Sequence, residues 1–522
     1  MDIKDLKKKY PKALIYDDHK LVTRRDFLKA GVIPFAASIT PLSVLEALLM
    51  GSNANAVVCP PVGGGGPMHG FLPLMTVHLS GGGTLAANRL AKDIGGNIIT
   101  NMDTCGLGNA LSGANSTSFQ GVGGWFTSNA ALDSGFLRGL KQAATQTGLP
   151  PLLANYLQNT AVLSVCVPSQ DDSSMNPFDI SSLAKHAGVT GTNIAQVAGP
   201  SSPGNLPVLA TEYPAAQQVA INSVADLTSA VGVGGILQTT YSNVQRGQLF
   251  GLIKRLSDEQ ASRLLASSAN GQEVADLVDC STAANQTIAA ATPPAVDPFT
   301  VTAAAAGGTG QTIAQAMQLI WGATPSTQDA VAAASAYVSL TKLAGAVKHM
   351  RGGYDYHNGT RTSGDAKDLE AGLLVGHLLQ TAAALQIPLY LWVATDGACR
   401  SMLSSAQDSV WTSDGGSRGM NFVFAYDPAG RPKLSAPPTI VAGNADQMGY
   451  FTSAQTASNS LIPGWNATSA ALAVAYNYLV LSKLKAGLAL PAAQAFAASV
   501  LDDSPTAASL LASFDKILHF RG

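Results

Sequence analysis

The sequence predicts an α/β domain, a mainly parallel sheet with helices on both faces, preceded by a signal segment. Three observations lead there. Short apolar runs of strand length recur along the chain, and longer stretches with helical spacing separate them, which is the alternation that builds parallel sheets. The composition completes the case. Of 522 residues, 46% are hydrophobic and 12% charged, about half the ~25% charged usual in soluble domains, so the chain has ample apolar surface for a large core.

Taken in order, Leu72 to Leu79 reads as a buried strand that ends in Ser80-Gly81-Gly82-Gly83-Thr84. Residues 100–130 are rich in Gly, Ser and Asn and read as loop. Ala161 to Val167 is a second strand, and 240–280 carries helical spacing. Residues 281–311, rich in Ala, Thr, Pro and Gly, read as a low-complexity loop insertion. From Gln311 an Ala-rich helix is expected to about Leu343, then a short segment ending at Met350. Asp365 is placed to cap a helix with a stripe of Leu369, Leu373, Leu374, Leu378 and Leu385. Pro388 to Val393, Met420 to Ala425 and Thr439 to Ala442 read as strands. Two helices close the chain: Ser469 to Ala486, stopped by Gly487, and Pro505 to Phe520, capped by Ser504.

Charge sets limits on function. Lys and Arg number 31 against 33 Asp and Glu, a net charge of −2, so there is no basic excess for binding nucleic acid. Five cysteines without CxxC spacing make neither a disulfide scaffold nor a zinc ribbon. Nine of the basic residues precede position 30, and an apolar stretch from Ala30 to about Met50 and an Ala54-Asn55-Ala56 cleavage pattern follow. Within the basic region stands Thr23-Arg24-Arg25-Asp26-Phe27-Leu28-Lys29, in which Arg24, Arg25, Phe27 and Leu28 match the twin-arginine export motif, an address read by a receptor. Pro34, Pro41 and Glu46 interrupt the apolar run, so cleavage is expected rather than a retained anchor. The reading is a signal at 1–56 and one large α/β domain over 57–522. Asn477, Lys483 and Lys485 interrupt the apolar run near 470–490, so no membrane span is expected in the mature chain.

Polar residues gather where the expected strands end, which is where open α/β sheets bind ligands. Gly352-Gly353-Tyr354-Asp355-Tyr356-His357 follows one such segment, and on extended backbone Asp355 and His357 share a side. Thr395-Asp396-Gly397 follows the strand ending at Val393, and Thr412-Ser413-Asp414-Gly415-Gly416 precedes the one beginning near Met420. Three carboxylates and an imidazole suit a divalent metal with mixed nitrogen and oxygen ligation. Other features have simpler readings. Gly106 to Gly113 lacks the lysine and spacing of a phosphate loop. His78 reads as a core histidine, His377 as a packing residue and His186 as a helix-end cation.

These motifs, in this order and spacing together with the twin-arginine signal, resemble those of the bacterial export family catalogued as domain of unknown function 1501. That family is similar in fold and metal geometry to the alkaline phosphatases and sulfatases. The resemblance is most specific around 350–425 and at the signal. Where the family has Gly-Gly-Phe-Asp-Thr-His, this chain keeps Asp355 and His357; where it has Ser-Glu-Phe-Gly-Arg, Asp396 retains a carboxylate; where it has Gly-Thr-Asp-His-Gly, Asp414 stays and the histidine is lost. The family's Gly-Gly-x-Asp after the first strand is here Gly81-Gly82-Gly83-Thr84, and its Ser-His-Phe is matched only by Asn176-Pro177-Phe178. The resemblance implies an alkaline phosphatase-like fold and export by the twin-arginine translocase to the periplasm or beyond. It further implies one divalent metal ion on Asp355, His357, Asp396 and Asp414, hydrolysing phosphate or sulfate esters, with Thr84 standing where a ligand or nucleophile is expected. With two imidazoles and a carboxylate missing, the alternative is a catalytically degenerate relative that binds envelope glycans or a partner protein.

Overall fold

The computed structural model describes residues 70–89, 91–97, 99, 134–168, 178–189, 191, 193–196, 218–231, nine residues between 242 and 255, 295–307, 310–356, 361–395, 400–401, 411–412, 419–435, 446–454, 456–458, 466–501 and 519–521. Two compact units divide the chain, and residues 65–232 with 294–522 form the larger. All of the elements below belong to it.

Its strands are β1 (Leu74–Leu79), β2 (Thr160–Val167), β3 (Asn193–Gln196), β4 (Gln218–Ile221), β5 (Val347–Arg351), β6 (Leu389–Thr395), β7 (Arg400–Ser401), β8 (Trp411–Thr412), β9 (Gly419–Tyr426), β10 (Lys433–Leu434), β11 (Gln447–Met448) and β12 (Phe520–Arg521). Eight of them form one sheet in the order β11-β2-β9-β6-β1-β5-β3-β4. β9 alone runs against its neighbours β2 and β6; the other pairings are parallel. The protein is therefore of the α/β class the sequence predicts. The central strands β1, β2, β5, β6 and β9 are buried along their whole length, because helices cover both faces of the sheet.

One face carries α1 (Gly135–Ala144), α4 (Val224–Val231), α5 (Ile313–Trp321), α6 (Thr327–Leu340) and α7 (Arg361–Leu385), packed on Met75, Val77, Val347, Leu391 and Phe424. The other carries α3 (Ser181–His186), α8 (Ala467–Lys485) and α9 (Leu490–Leu501), packed on Leu74, Leu163, Tyr390 and Trp392. A single turn, α2 (Pro151–Ala154), leads into β2. The Lys483 ammonium lies 4.6 Å from the Phe71 ring centre and 4.0 Å from that of Phe496, pinning α9 to α8. No helix among the described residues is long and apolar enough to cross a membrane.

Several elements differ from expectation for identifiable reasons. The helix expected over 311–343 is two. α5 starts with a reciprocal cap between Thr312 and Gln315 and stops at Gly322, whose φ of 87° leaves the helical region. Pro325 precedes Ser326, whose hydroxyl caps α6 by accepting from the Asp329 amide. Asp365 lies inside α7, which begins at Arg361, and so does not stand at its N-cap. Over 363–373 the buried positions of α7 are Gly364, Asp368, Ala371 and Gly372 rather than Leu369 and Leu373, and every residue from 374 to 385 is buried, as befits a segment enclosed by the sheet and other helices. Residues 295–307 do not behave as a free loop. Asp297 caps a short turn, Val296 and Ala305 are buried, and the Gly307 amide donates to Ala384 O at 2.9 Å. α8 ends before Gly487 as expected (φ 87°). Phe520 lies in β12, paired with β10, rather than in a helix. Thr439 to Ala442 and 505–518 fall outside the described residues.

α1 packs on α7 with the two backbones in contact. A Cβ on Gly135 or Gly139 would overlap the carbonyl oxygens of Asp365 and Leu369, one on Gly372 that of Phe136, and one on Gly376 the Cβ of Ala143. Four glycines at i, i+4 spacing thus let two backbones touch. Gly372→Ala is expected to force the helices apart and destabilise the fold by ~1–3 kcal/mol. Gly352→Ala, at a position with nothing within 4 Å, is expected to stay within ~0.5 kcal/mol of the parent. Urea denaturation measures both, and equal stabilities would refute the close contact.

Candidate functional site

The carboxyl ends of β5, β1 and β6 and the amino end of β9 are neighbours along one edge of the sheet. The segments singled out in the sequence leave from these four ends. Thr84 lies five residues beyond β1 and is buried; Asp355 lies four residues beyond β5 and is exposed. Asp396 directly follows Thr395, the last residue of β6, and Asp414 lies between β8 and β9. His357, Asp396 and Asp414 themselves fall outside the described residues, as do Arg24, Arg25, Phe27 and Leu28. Among the described residues no group of three His, Cys, Asp or Glu side chains could hold a metal ion.

Backbone contacts lock this edge. The Ser80 amide donates to Arg351 O (2.9 Å), the Tyr354 amide to Ser80 O (3.1 Å) and the Gly83 amide to Thr395 Oγ1 (2.9 Å). The Thr395 amide donates to Asn421 Oδ1 at 3.2 Å. Gly81 is required here twice over: its φ is +124°, and a Cβ would come within 2.5 Å of the Asp355 nitrogen. Arg351 completes the frame by donating to Gln328 Oε1 (2.6 Å) and to Asp329 in the first turn of α6.

Behind Asp355 lies a polar group that sequence reasoning missed. Asp368 on α7 is 2% exposed; its Oδ2 accepts from Asn88 Nδ2 at 2.8 Å and its Oδ1 from the Tyr356 hydroxyl. Asn88 Oδ1 in turn accepts from the Phe136 amide in the first turn of α1, at 3.1 Å. Burial pushes the Asp368 carboxyl up to about 7, helped by Asp365, while Tyr356, Asn88 and Arg138 pull the other way. No local pattern around Asp368 marks it, because Asn88 is 280 residues away and the helix register that aims the carboxyl inward is set by packing.

A second buried set lies on the opposite face of the sheet. Lys348 pairs with Asp179 at 3.4 Å, their side chains 3% and 4% exposed. Burial opposes ionisation of Asp179, but Lys348 and the Ser181 hydroxyl and amide hold its carboxyl below the usual range. His78, fully buried with neither ring nitrogen hydrogen bonded, is pushed down to about 3 by burial and by Lys348, against Asp179. It is a neutral core histidine, as the sequence suggests. His377 is also a packing residue: it meets Trp321 edge-on at 4.9 Å and Gln146 Nε2 at 2.9 Å. His186 is the last residue of α3.

Comparison with protein-family models, curated proteins and solved structures found no match to this chain. The functional reading therefore rests on the sequence motifs and the geometry of the edge.

The Asp368 carboxyl carries a stability consequence. Its folded value lies above the unfolded 3.8, so the folded chain binds the extra proton. That contribution is complete below about pH 4 and is lost as pH rises through about 7. Asp368→Asn, with its pH-independent amide, is expected to flatten this decline, worth on the order of a few kcal/mol. Denaturation midpoints measured from pH 4 to 8 check this; parallel curves for parent and variant would contradict it.

Proposed function

We propose that this is an exported protein of alkaline phosphatase-like fold that binds phosphate or sulfate esters at the carboxyl edge of its sheet and hydrolyses them with one divalent cation. The observation that carries this reading is the adjacency of four strand ends. The segments bearing Asp355, His357, Asp396 and Asp414 all attach to neighbours in β5-β1-β6-β9, the edge at which parallel sheets take ligands. The donor set supports it, because three carboxylates and one imidazole match the preference of a hard or borderline divalent ion. Asp355 is exposed, so solvent ions reach its carboxylate. In this reading Asp355, His357, Asp396 and Asp414 would hold the ion. Once bound, the ion would polarise the ester oxygen and offset charge on the leaving group. The chain's own contribution is placement. The Ser80, Tyr354 and Gly83 amide bonds hold the Gly81 and Asp355 loops in one arrangement, which limits the reorganisation needed when a charged ligand arrives.

The basic leader with Arg24, Arg25, Phe27 and Leu28 supports export by the twin-arginine translocase and a periplasmic or secreted location. Likeness to the domain-of-unknown-function 1501 family stands on these residues and on the 350–425 motifs.

A second reading has its own support. Thr84 is fully buried, an unsuitable setting for a group that must meet an ester, and the chain lacks two of the family's histidines. Both favour a catalytically silent relative that uses the same edge to bind an envelope glycan or a partner protein.

Elemental analysis and an ester screen separate the two. The mature protein is expected to retain about one equivalent of zinc, manganese or calcium and to turn over an aryl phosphate or sulfate. Asp355→Ala is expected to lose the metal and to slow turnover at least ~100-fold, the range in which placed electrostatic groups act. Metal retention without turnover would select the binding reading, and a stable metal-free protein would exclude the hydrolase.

A further inference from the structure

We infer that Asp368 is the positioning residue of the proposed site, fixing the loop that carries Asp355 to the segment that follows Thr84 through its two side-chain hydrogen bonds. For its consequence on ligand binding the inference rests on the proposed function; the tether itself does not.

Three features of the geometry point to this role. First, one carboxyl joins four separate stretches of chain: Asp368 from α7, Tyr356 from the loop after β5, Asn88 from the turn beyond Thr84 and, through Asn88, the amide of Phe136 in α1. Second, Tyr356 directly follows Asp355 in the chain, so the position of its hydroxyl constrains where the Asp355 side chain begins. Tyr356 is 3% exposed and its ring lies 6.3 Å from that of Tyr354, so packing restricts its movement. Third, the arrangement costs stability that packing alone would not: a buried carboxyl is expensive unless its hydrogen bonds are satisfied, and an apolar contact would join helix to loop more cheaply. What the carboxyl adds is direction, since two charge-assisted bonds set an angle as well as a distance.

The tether also has a charge state. The groups facing Asp368 are Tyr356 from the loop, Asn88 from the turn, Arg138 from α1 and Asp365 from its own helix. As a carboxylate, Asp368 accepts from both donors. Once it is protonated, the carboxyl donates to the Tyr356 hydroxyl, which can accept as well as donate, and the bond loses its charge assistance. The Asn88 NH2 can only donate and keeps the unprotonated oxygen, with Asn88 held on its other side by the Phe136 amide, so the bond that changes is the one to Tyr356. The loop after β5 is thus held more firmly above neutrality than below it.

Hydrogen exchange tests the tether on the full mature protein. Protection of amides 352–356, corrected for intrinsic exchange, is expected to rise about fivefold between pH 6 and pH 8, as the gain of charge assistance in one hydrogen bond implies. Asp368→Asn and Tyr356→Phe are expected to abolish the rise. Tyr356→Phe keeps the ring in place, so it reports even if Asp368→Asn folds poorly. A flat parent profile, or a rise that persists in both variants, would overturn the inference. Calorimetric titration with manganese then reads the consequence: about fivefold weaker binding in Asp368→Asn and in Tyr356→Phe, with partial recovery in Asp368→Glu. If the parent binds none of manganese, zinc and calcium, the hydrolase reading fails while the exchange data still decide the tether. Unaltered manganese affinity in both variants would show that Asp368 does not position the site.

Discussion

The contact on which the candidate site depends is the one between two backbones, α1 and α7, made possible by Gly135, Gly139, Gly372 and Gly376. Side chains at these positions would hold the helices a methyl group or more apart. With none, the first turn of α1 comes low enough for the Phe136 amide to reach Asn88, and Asn88 low enough to reach Asp368. Asp368 then reaches Tyr356. The chain of contacts runs from helix packing to the loop after β5 without a break. Dispersion and exclusion of water hold the helices together; hydrogen bonds convert that closeness into orientation.

The sheet edge is organised by the same principle of close approach. Gly81 brings the loop after β1 against the backbone of Asp355, and amide bonds then stitch β5, β1 and β6 together beyond their last residues. Strong polar groups are thereby satisfied by the protein itself in the loop bases, while Asp355 remains exposed. Such a division suits a site that must be stiff underneath and open to ligand above. The buried Lys348 and Asp179 pair lies on the other face and belongs to the core: its charges are matched to each other, and nearby His78 stays neutral.

How much could be read beforehand follows the physics of each element. β1, β2, β6 and β9 were legible because strands covered on both faces are mainly apolar, and Leu74–Leu79 and Leu389–Thr395 are so apart from Thr76, His78 and Thr395. β5 was visible only as a short segment ending at Met350, because Val347–Arg351 holds a lysine, a histidine and an arginine. Lys348 and Arg351 are buried at tolerable cost only because Asp179 and Asp329 meet them, and those partners are remote in the chain. The α5–α6 break was announced by Gly322 and Pro325 but masked by the alanine run around them. Of the candidate site, Asp355 and the Gly81 turn were visible as polar residues at strand ends, whereas Asp368 was not.

By itself the sequence determined the class of the fold, since apolar runs and helical spacing are local consequences of burial and each is written within a dozen residues. It also placed carboxylates just past strand ends, a matter of covalent order alone. Only the tertiary structure decided which strands are neighbours, that β9 opposes the rest, and that Thr84 is buried while Asp355 faces solvent. Likewise only folding brought Asn88, Phe136, Tyr356 and Asp368 together. The reason is one of range: propensity and periodicity act between near neighbours, but a buried hydrogen bond is chosen by whatever the packed core sets beside it.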